Sequence, residues 1–153
     1  MKSRYFLFVI LLLSTSFILF ALYLQLVWKI LPCPLCVLQR YAFIAVAGCC
    51  VIGLFIKKVR VAVLSALLFS LTGMGVAAYQ LWVIAHPAVQ CGRDPLEAAI
   101  NTLWPAKWLP VLFHSDSLCG DVLDPILGLT PPQWSLVWFF IFALVFAGLM
   151  RRE

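Results

Sequence analysis

The sequence predicts an all-α membrane protein, a four-transmembrane-helix bundle with one short and one long loop on its outer face. Three observations predict it: uncharged runs of spanning length recur along the chain, basic residues gather on one side of a four-span arrangement, and acidic residues gather on the other. With 65% of 153 residues hydrophobic and 11% charged, the chain lies well below the ~25% charged residues of soluble domains. A water-soluble fold is excluded on that ground.

The first span is the uncharged run Tyr5 to Trp28, 24 residues long, against the roughly 18 to 20 that a spanning helix needs. The preceding "MKSR" resembles the basic start of a secretory signal. The apolar run exceeds the ~7 to 15 residues of a signal core and no small-residue cleavage pattern follows, so the segment is expected to stay attached. The second span contains only 16 uncharged residues, Tyr41 to Ile56. It reaches spanning length if the helix begins near Leu35 and Arg40 extends its guanidinium toward the interface. Val61 to Gly92 (32 residues) and Gln133 to Met150 (18 residues) supply the third and fourth spans. The chain is thus one domain, 1–153, with helices at about 5–28, 35–56, 61–85 and 133–150 and outer loops at about 29–34 and 86–132.

Charge sets the orientation. Lys2, Arg4, Lys57, Lys58, Arg60, Arg151 and Arg152, seven of the 11 basic residues, fall on one side, which the positive-inside rule makes cytoplasmic. Asp94, Glu97, Asp116, Asp121 and Asp124, five of the six acidic residues, lie in the long outer loop. The net charge of +5 therefore reports topology and not nucleic-acid binding, and the partner implied first is the lipid bilayer. The six tryptophans fall on or near the outer side, as an interfacial belt would.

Within the long loop, "RDPLEAAINTLW" carries a helix-start signature. Asp94 suits the cap, Pro95 the first position, and Glu97 follows three residues after the cap. Leu96, Ala99, Ile100, Leu103 and Trp104 then share a face, which fits a short helix at Pro95 to Trp104, either on the membrane surface or packed on the bundle.

Six cysteines are present. Cys33 and Cys36 open the second span on the outer side, and Cys91 and Cys119 flank the long outer loop, so all four face a compartment where disulfides persist. Four cysteines allow three pairings, and spacing does not choose among them. Cys49 follows Cys36 by 13 residues, about 20 Å deeper at ~1.5 Å per residue. With its neighbour Cys50 it reads as a small buried hydrophobe.

"PCPLCVLQR" holds the chemistry. Pro34 suits the first helical position, which makes Cys33 the cap and places Cys36 in the first turn, where free amides and the helix dipole favour a negatively charged sulfur. Arg40, four residues on, shares the face of Cys36 and adds a permanent positive charge. An arginine at the edge of hydrocarbon is costly and marks function more often than anchoring. The histidines, His86 and His114, lack metal-ligand spacing to the cysteines, so no metal is expected. The chain shows no dinucleotide fingerprint and no haem-attachment motif. If the outer cysteines cycle, their electrons must leave by thiol exchange or to a lipid-soluble acceptor, and a quinone beside Cys36 and Arg40 meets that need.

These features resemble the disulfide bond formation protein B (DsbB) family of bacterial inner-membrane thiol:quinone oxidoreductases. The likeness covers nearly the whole chain: four spans with both ends inside, "PCPLCVLQR" after the first, "LWPAKWLPVLFHSDSLC" in the second outer loop and "GLTPPQW" opening the last span. The resemblance implies an inner-membrane protein with cytoplasmic termini and both loops in the periplasm. It further implies that Cys91 and Cys119 form the disulfide attacked by a DsbA-like dithiol oxidase, with Cys91 taking the mixed disulfide. Cys119 would then reduce the Cys33–Cys36 pair, leaving Cys36 next to a ubiquinone or menaquinone whose oxygen Arg40 holds. Quinone would supply the driving force for drawing electrons from a strongly oxidising partner, at ~1.4 kcal/mol for each 30 mV of a two-electron couple. The alternatives from another class are a four-helix metal-binding membrane protein and a disulfide-stapled scaffold without redox turnover.

Overall fold

The computed structural model describes residues 2–29, 32–56, 59–86, 95–115, 125 and 127–151. These form seven helices: α1 (Lys2–Val27), α2 (Pro34–Phe55), α3 (Val59–Ala85), α4 (Pro95–Thr102), α5 (Trp104–Trp108), α6 (Pro110–Phe113) and α7 (Pro131–Met150). Four of them, over Ser3–Val27, Pro34–Phe55, Val59–Ala85 and Pro131–Met150, are long and apolar enough to cross a membrane. The protein is an all-α membrane bundle.

The spans pack in the order α1, α2, α3, α7, each chiefly against the next, while α1 and α7 touch only slightly. One core ties the four together. Leu7 and Ile10 of α1 meet Phe43, Val46 and Cys50 of α2, Val63 and Ala66 of α3, and Phe139, Phe142 and Phe146 of α7. Phe43 stacks between two rings, its centroid 5.5 Å from Phe17 and 4.1 Å from Phe139. Cys50 is fully buried in this core and Cys49 packs at its margin, so this pair behaves as small hydrophobic side chains. Outward-facing apolar residues such as Phe8, Leu19, Phe69 and Leu144 are exposed along the spans, as contact with lipid tails requires.

α7 begins at Pro131, two residues before Gln133, where the fourth span was expected to start. Consecutive prolines at its first positions lack only amide hydrogens that a helix start leaves unpaired, and Gln133 Oε1 accepts from the Thr130 amide at 2.8 Å.

The expected helix from Pro95 to Trp104 is corrected to a broken one. α4 stops at Thr102, and Leu103, with φ −62° and ψ 142°, separates it from α5. Proline explains the break: continued helix would drive the Pro105 ring into the carbonyl of Asn101, and Pro110 does the same to Ala106, ending α5. Of the expected apolar face, Ile100 is buried, whereas Ala99, Leu103 and Trp104 are exposed. Asp94 lies outside the described residues, as does the Leu96 side chain. The three short helices fold onto the start of α2 through Ile100, Ala106 and Phe113 around Val37. Asn101 holds the unit closed, its Nδ2 donating to the Ser115 carbonyl and its Oδ1 accepting from the Ser115 amide, both at 3.0 Å.

Close approach of α3 and α7 depends on Gly73. A Cβ there would lie 2.5 Å from Phe139 Cζ, inside the contact distance of any real pair. Gly73→Ala is expected to destabilise the bundle by about 1–3 kcal/mol through overpacking, read as a lower Tm of the detergent-solubilised protein. An unchanged Tm would mean that the Phe139 ring yields freely.

Candidate functional site

The start of α2 is capped by sulfur. Cys33 adopts extended backbone, φ −81° and ψ 161°, with Pro34 in the first helical turn. Cys33 Sγ accepts from the Cys36 amide at 3.2 Å, occupying one of the donors that a helix N-terminus leaves open. The cap therefore brings the two cysteines together within one turn of α2. Cys33 is buried against Leu35 and Val83, and Cys36 is partly exposed. Both carry free sulfurs in this structure.

Helical periodicity places the next groups. Cys36, Gln39, Arg40 and Phe43 stand at the i, i+3, i+4 and i+7 positions of one face, and all four line a cleft of ≈ 380 Å³ between α1, α2 and α7. Its walls are largely apolar and aromatic, including Phe17, Phe20, Leu24, Trp134 and Trp138. The cleft lies where α1 and α7 barely meet.

Arg40 does not reach toward water as an anchoring arginine would. It is 8% exposed. Its Nη1 donates to Gln25 Oε1 on α1 at 2.9 Å and to the Leu112 carbonyl on α6 at 3.0 Å. Beside it, Tyr41 stacks on Phe113, with ring centroids 4.5 Å apart. Both acceptors are neutral, and among the described residues the Nη2 and Nε hydrogens have no acceptor. A buried cation with only neutral partners favours an anion or an electron-rich oxygen in the adjoining cleft.

The sequence reading missed the amides. Gln80 of α3 donates from Nε2 to Cys36 Sγ at 3.2 Å and to Cys33 Sγ at 3.4 Å. Its Oε1 accepts from Gln39 Nε2 at 2.6 Å. A polar side chain within a long apolar run is a usable signal, but charge-free windows count glutamine as unremarkable.

Of the predicted site residues, the structure gathers Cys33, Cys36 and Arg40 at one end of the bundle. Cys91 and Cys119 lie outside the described residues. His86 stacks on Trp82 at 4.7 Å and its Nδ1 lies 2.9 Å from the Trp82 carbonyl, and it does not line the cleft.

The family model described as "Disulfide bond formation protein DsbB" matches residues 3–149. A protein named Disulfide bond formation protein B from Herminiimonas arsenicoxydans is 49% identical over 145 residues, covering 94% of this chain and 92% of that one. Proteins of the same name from Cupriavidus pinatubonensis and Ralstonia nicotianae are each 41% identical, covering 99% of this chain and 96% and 97% of theirs. A match along nearly the full length, on a bundle with four membrane-spanning helices, shows that the chain belongs to the DsbB family of disulfide bond formation proteins.

Proposed function

We propose that this protein is a protein-dithiol:quinone oxidoreductase of the bacterial inner membrane, which reoxidises a periplasmic DsbA-like dithiol oxidase and passes the electrons to a membrane quinone. The observation that carries the reading is the cleft in which Cys36 and the buried Arg40 share an apolar, aromatic wall.

The residues fit such a carrier. A pocket of ≈ 380 Å³ falls within the ~300–1,000 Å³ of small-molecule sites. Phe17, Phe20, Phe43, Trp134 and Trp138 offer apolar surface to a ring and tail. Arg40 would hold a quinone oxygen through donors not engaged by Gln25 or Leu112. The quinone would supply an acceptor for the two electrons and two protons released when a dithiol closes to a disulfide.

The chain's own part is thiol exchange. In each step a thiolate attacks a disulfide, a new S–S bond forms and the displaced sulfur leaves with the electron pair. The partner's dithiol would open a Cys91–Cys119 disulfide through a mixed disulfide at Cys91. The freed Cys119 would then attack the Cys33–Cys36 disulfide, expelling Cys36 as a thiolate beside Arg40. The helix start and the Gln80 amide stabilise charge on that sulfur. In this reading Lys2, Arg4, Arg60 and Arg151 hold the termini and the α2–α3 turn in the cytoplasm, and the sulfurs at the start of α2 face the periplasm.

The deciding experiment follows quinone reduction by the purified protein with a reduced thioredoxin-fold partner, each of Cys33, Cys36, Cys91 and Cys119 replaced in turn. Cys36→Ser is expected to lower turnover to background, and full activity in that variant would remove the mechanism. Arg40→Ala is expected to raise the KM for quinone about tenfold, the worth of one charge-assisted hydrogen bond, with a smaller change in kcat. An unaltered KM would take quinone binding away from Arg40.

A further inference from the structure

Two amides buried between α2 and α3 form a polar chain that thiol exchange alone does not require. Gln39 is 5% exposed and Gln80 2% exposed. A primary amide has a donor end and an acceptor end of nearly equal size, so a half-turn exchanges them at little steric cost. In an apolar setting its orientation is decided by its partners. Gln80 has the sulfurs of Cys33 and Cys36 on one side and Gln39 on the other. The sulfurs need a donor whenever they carry negative charge, and Gln80 supplies one only if its oxygen is engaged elsewhere.

We propose that Gln39 is a positioning residue that, by donating to Gln80 Oε1, holds the Gln80 amide with its NH2 toward Cys33 and Cys36 and so sets the reactivity of that sulfur pair. Gln39 also lines the cleft with Cys36 and Arg40, so the chain of bonds runs from the cleft wall through α3 and back to the sulfurs. Neither amide titrates, and the donor is present at every pH. In exchange the amide serves either direction: it faces the sulfur that leaves with the electron pair and the sulfur that attacks as thiolate.

The inference rests on the reading that these sulfurs react, but its test needs neither quinone nor partner. The full chain, purified in detergent and reduced, is pulsed with iodoacetamide at pH 7, and modification of Cys36 is followed by mass spectrometry. Gln80→Met is expected to slow Cys36 alkylation about tenfold, as loss of a hydrogen bond to a charged group does. Gln39→Met should slow it by about threefold, the amide of Gln80 then being free to turn. Because Gln39 acts through Gln80, the double variant should match Gln80→Met alone. A wild-type rate in Gln39→Met, or two effects that multiply in the double variant, would overturn the proposal.

Protection of the core residue Cys50 in the same samples reports whether each variant is folded. If the methionine variants lose it, the decision passes to Gln39→Glu. A protonated carboxyl can donate to Gln80, whereas the ionised form only accepts and turns the amide around. The rate of Gln39→Glu divided by that of wild type should therefore fall as pH rises, and a ratio independent of pH overturns the relay. Lost quinone turnover in a wild-type protein whose Gln39 and Gln80 effects remain coupled would instead count against the oxidoreductase reading alone.

Discussion

A full positive charge kept out of water organises the end of this bundle that carries Cys33 and Cys36. Arg40 sits one helical turn beyond Cys36, and its guanidinium bonds to a side chain on α1 and a carbonyl on α6. Moving such a group into hydrocarbon costs several kcal/mol unless its hydrogens are satisfied. That cost adds a polar tie to three pieces already packed together, since α1, α2 and the short loop helices must all be in place for Nη1 to find both acceptors. The stacking of Tyr41 on Phe113 and the burial of Ile100 and Ala106 against Val37 reinforce the same docking. The loop unit is thus pinned to the helix that bears the sulfurs.

The sulfurs answer a second constraint, the unpaired amides at a helix start. Cys33 caps α2 with its own Sγ, and Pro34 needs no amide partner. A cap normally takes an oxygen, which accepts more strongly than sulfur. Placing cysteine there holds both sulfurs of the pair within the field of the helix N-terminus, so that structure and chemistry draw on the same amide. Gln80 adds a donor from α3 to both sulfurs.

Much of this is legible in the sequence, and the part that is not has a physical reason. Spans are visible because hydrocarbon demands long uncharged runs, and the cap is visible because proline after cysteine restricts the backbone locally. The shared face of Cys36 and Arg40 follows from 3.6 residues per turn. The pairing of Gln39 with Gln80 spans 41 positions and depends on the rotation of α3 against α2, which no local pattern encodes. Gln25 is hidden for the same reason, its role fixed by where α1 lies beside α2. In the long loop the apolar spacing suggested one helix, but Pro105 and Pro110 were the stronger signals, because a ring clash with the carbonyl four residues back outweighs amphipathic periodicity.

The bundle closes unevenly, and that unevenness follows from where the bulky side chains fall. Phe139, Phe142 and Phe146 repeat along α7 and fill the space between the helices with Phe43, Val46 and Leu7. Gly73 lets α3 come close enough to seal that region. Toward the start of α7, prolines, Ser135 and the cleft-lining Trp134 and Trp138 take the place of the phenylalanines, and α1 and α7 separate around the cleft. Aromatic packing can therefore hold the helices at fixed distances while the end that carries Cys36 and Arg40 keeps an open side between two spans. A carrier dissolved in lipid would meet that side without crossing water, whereas a soluble thiol partner would have to come from the loop face. Under the proposed function, two reactants of opposite solubility would then reach one sulfur pair from different sides.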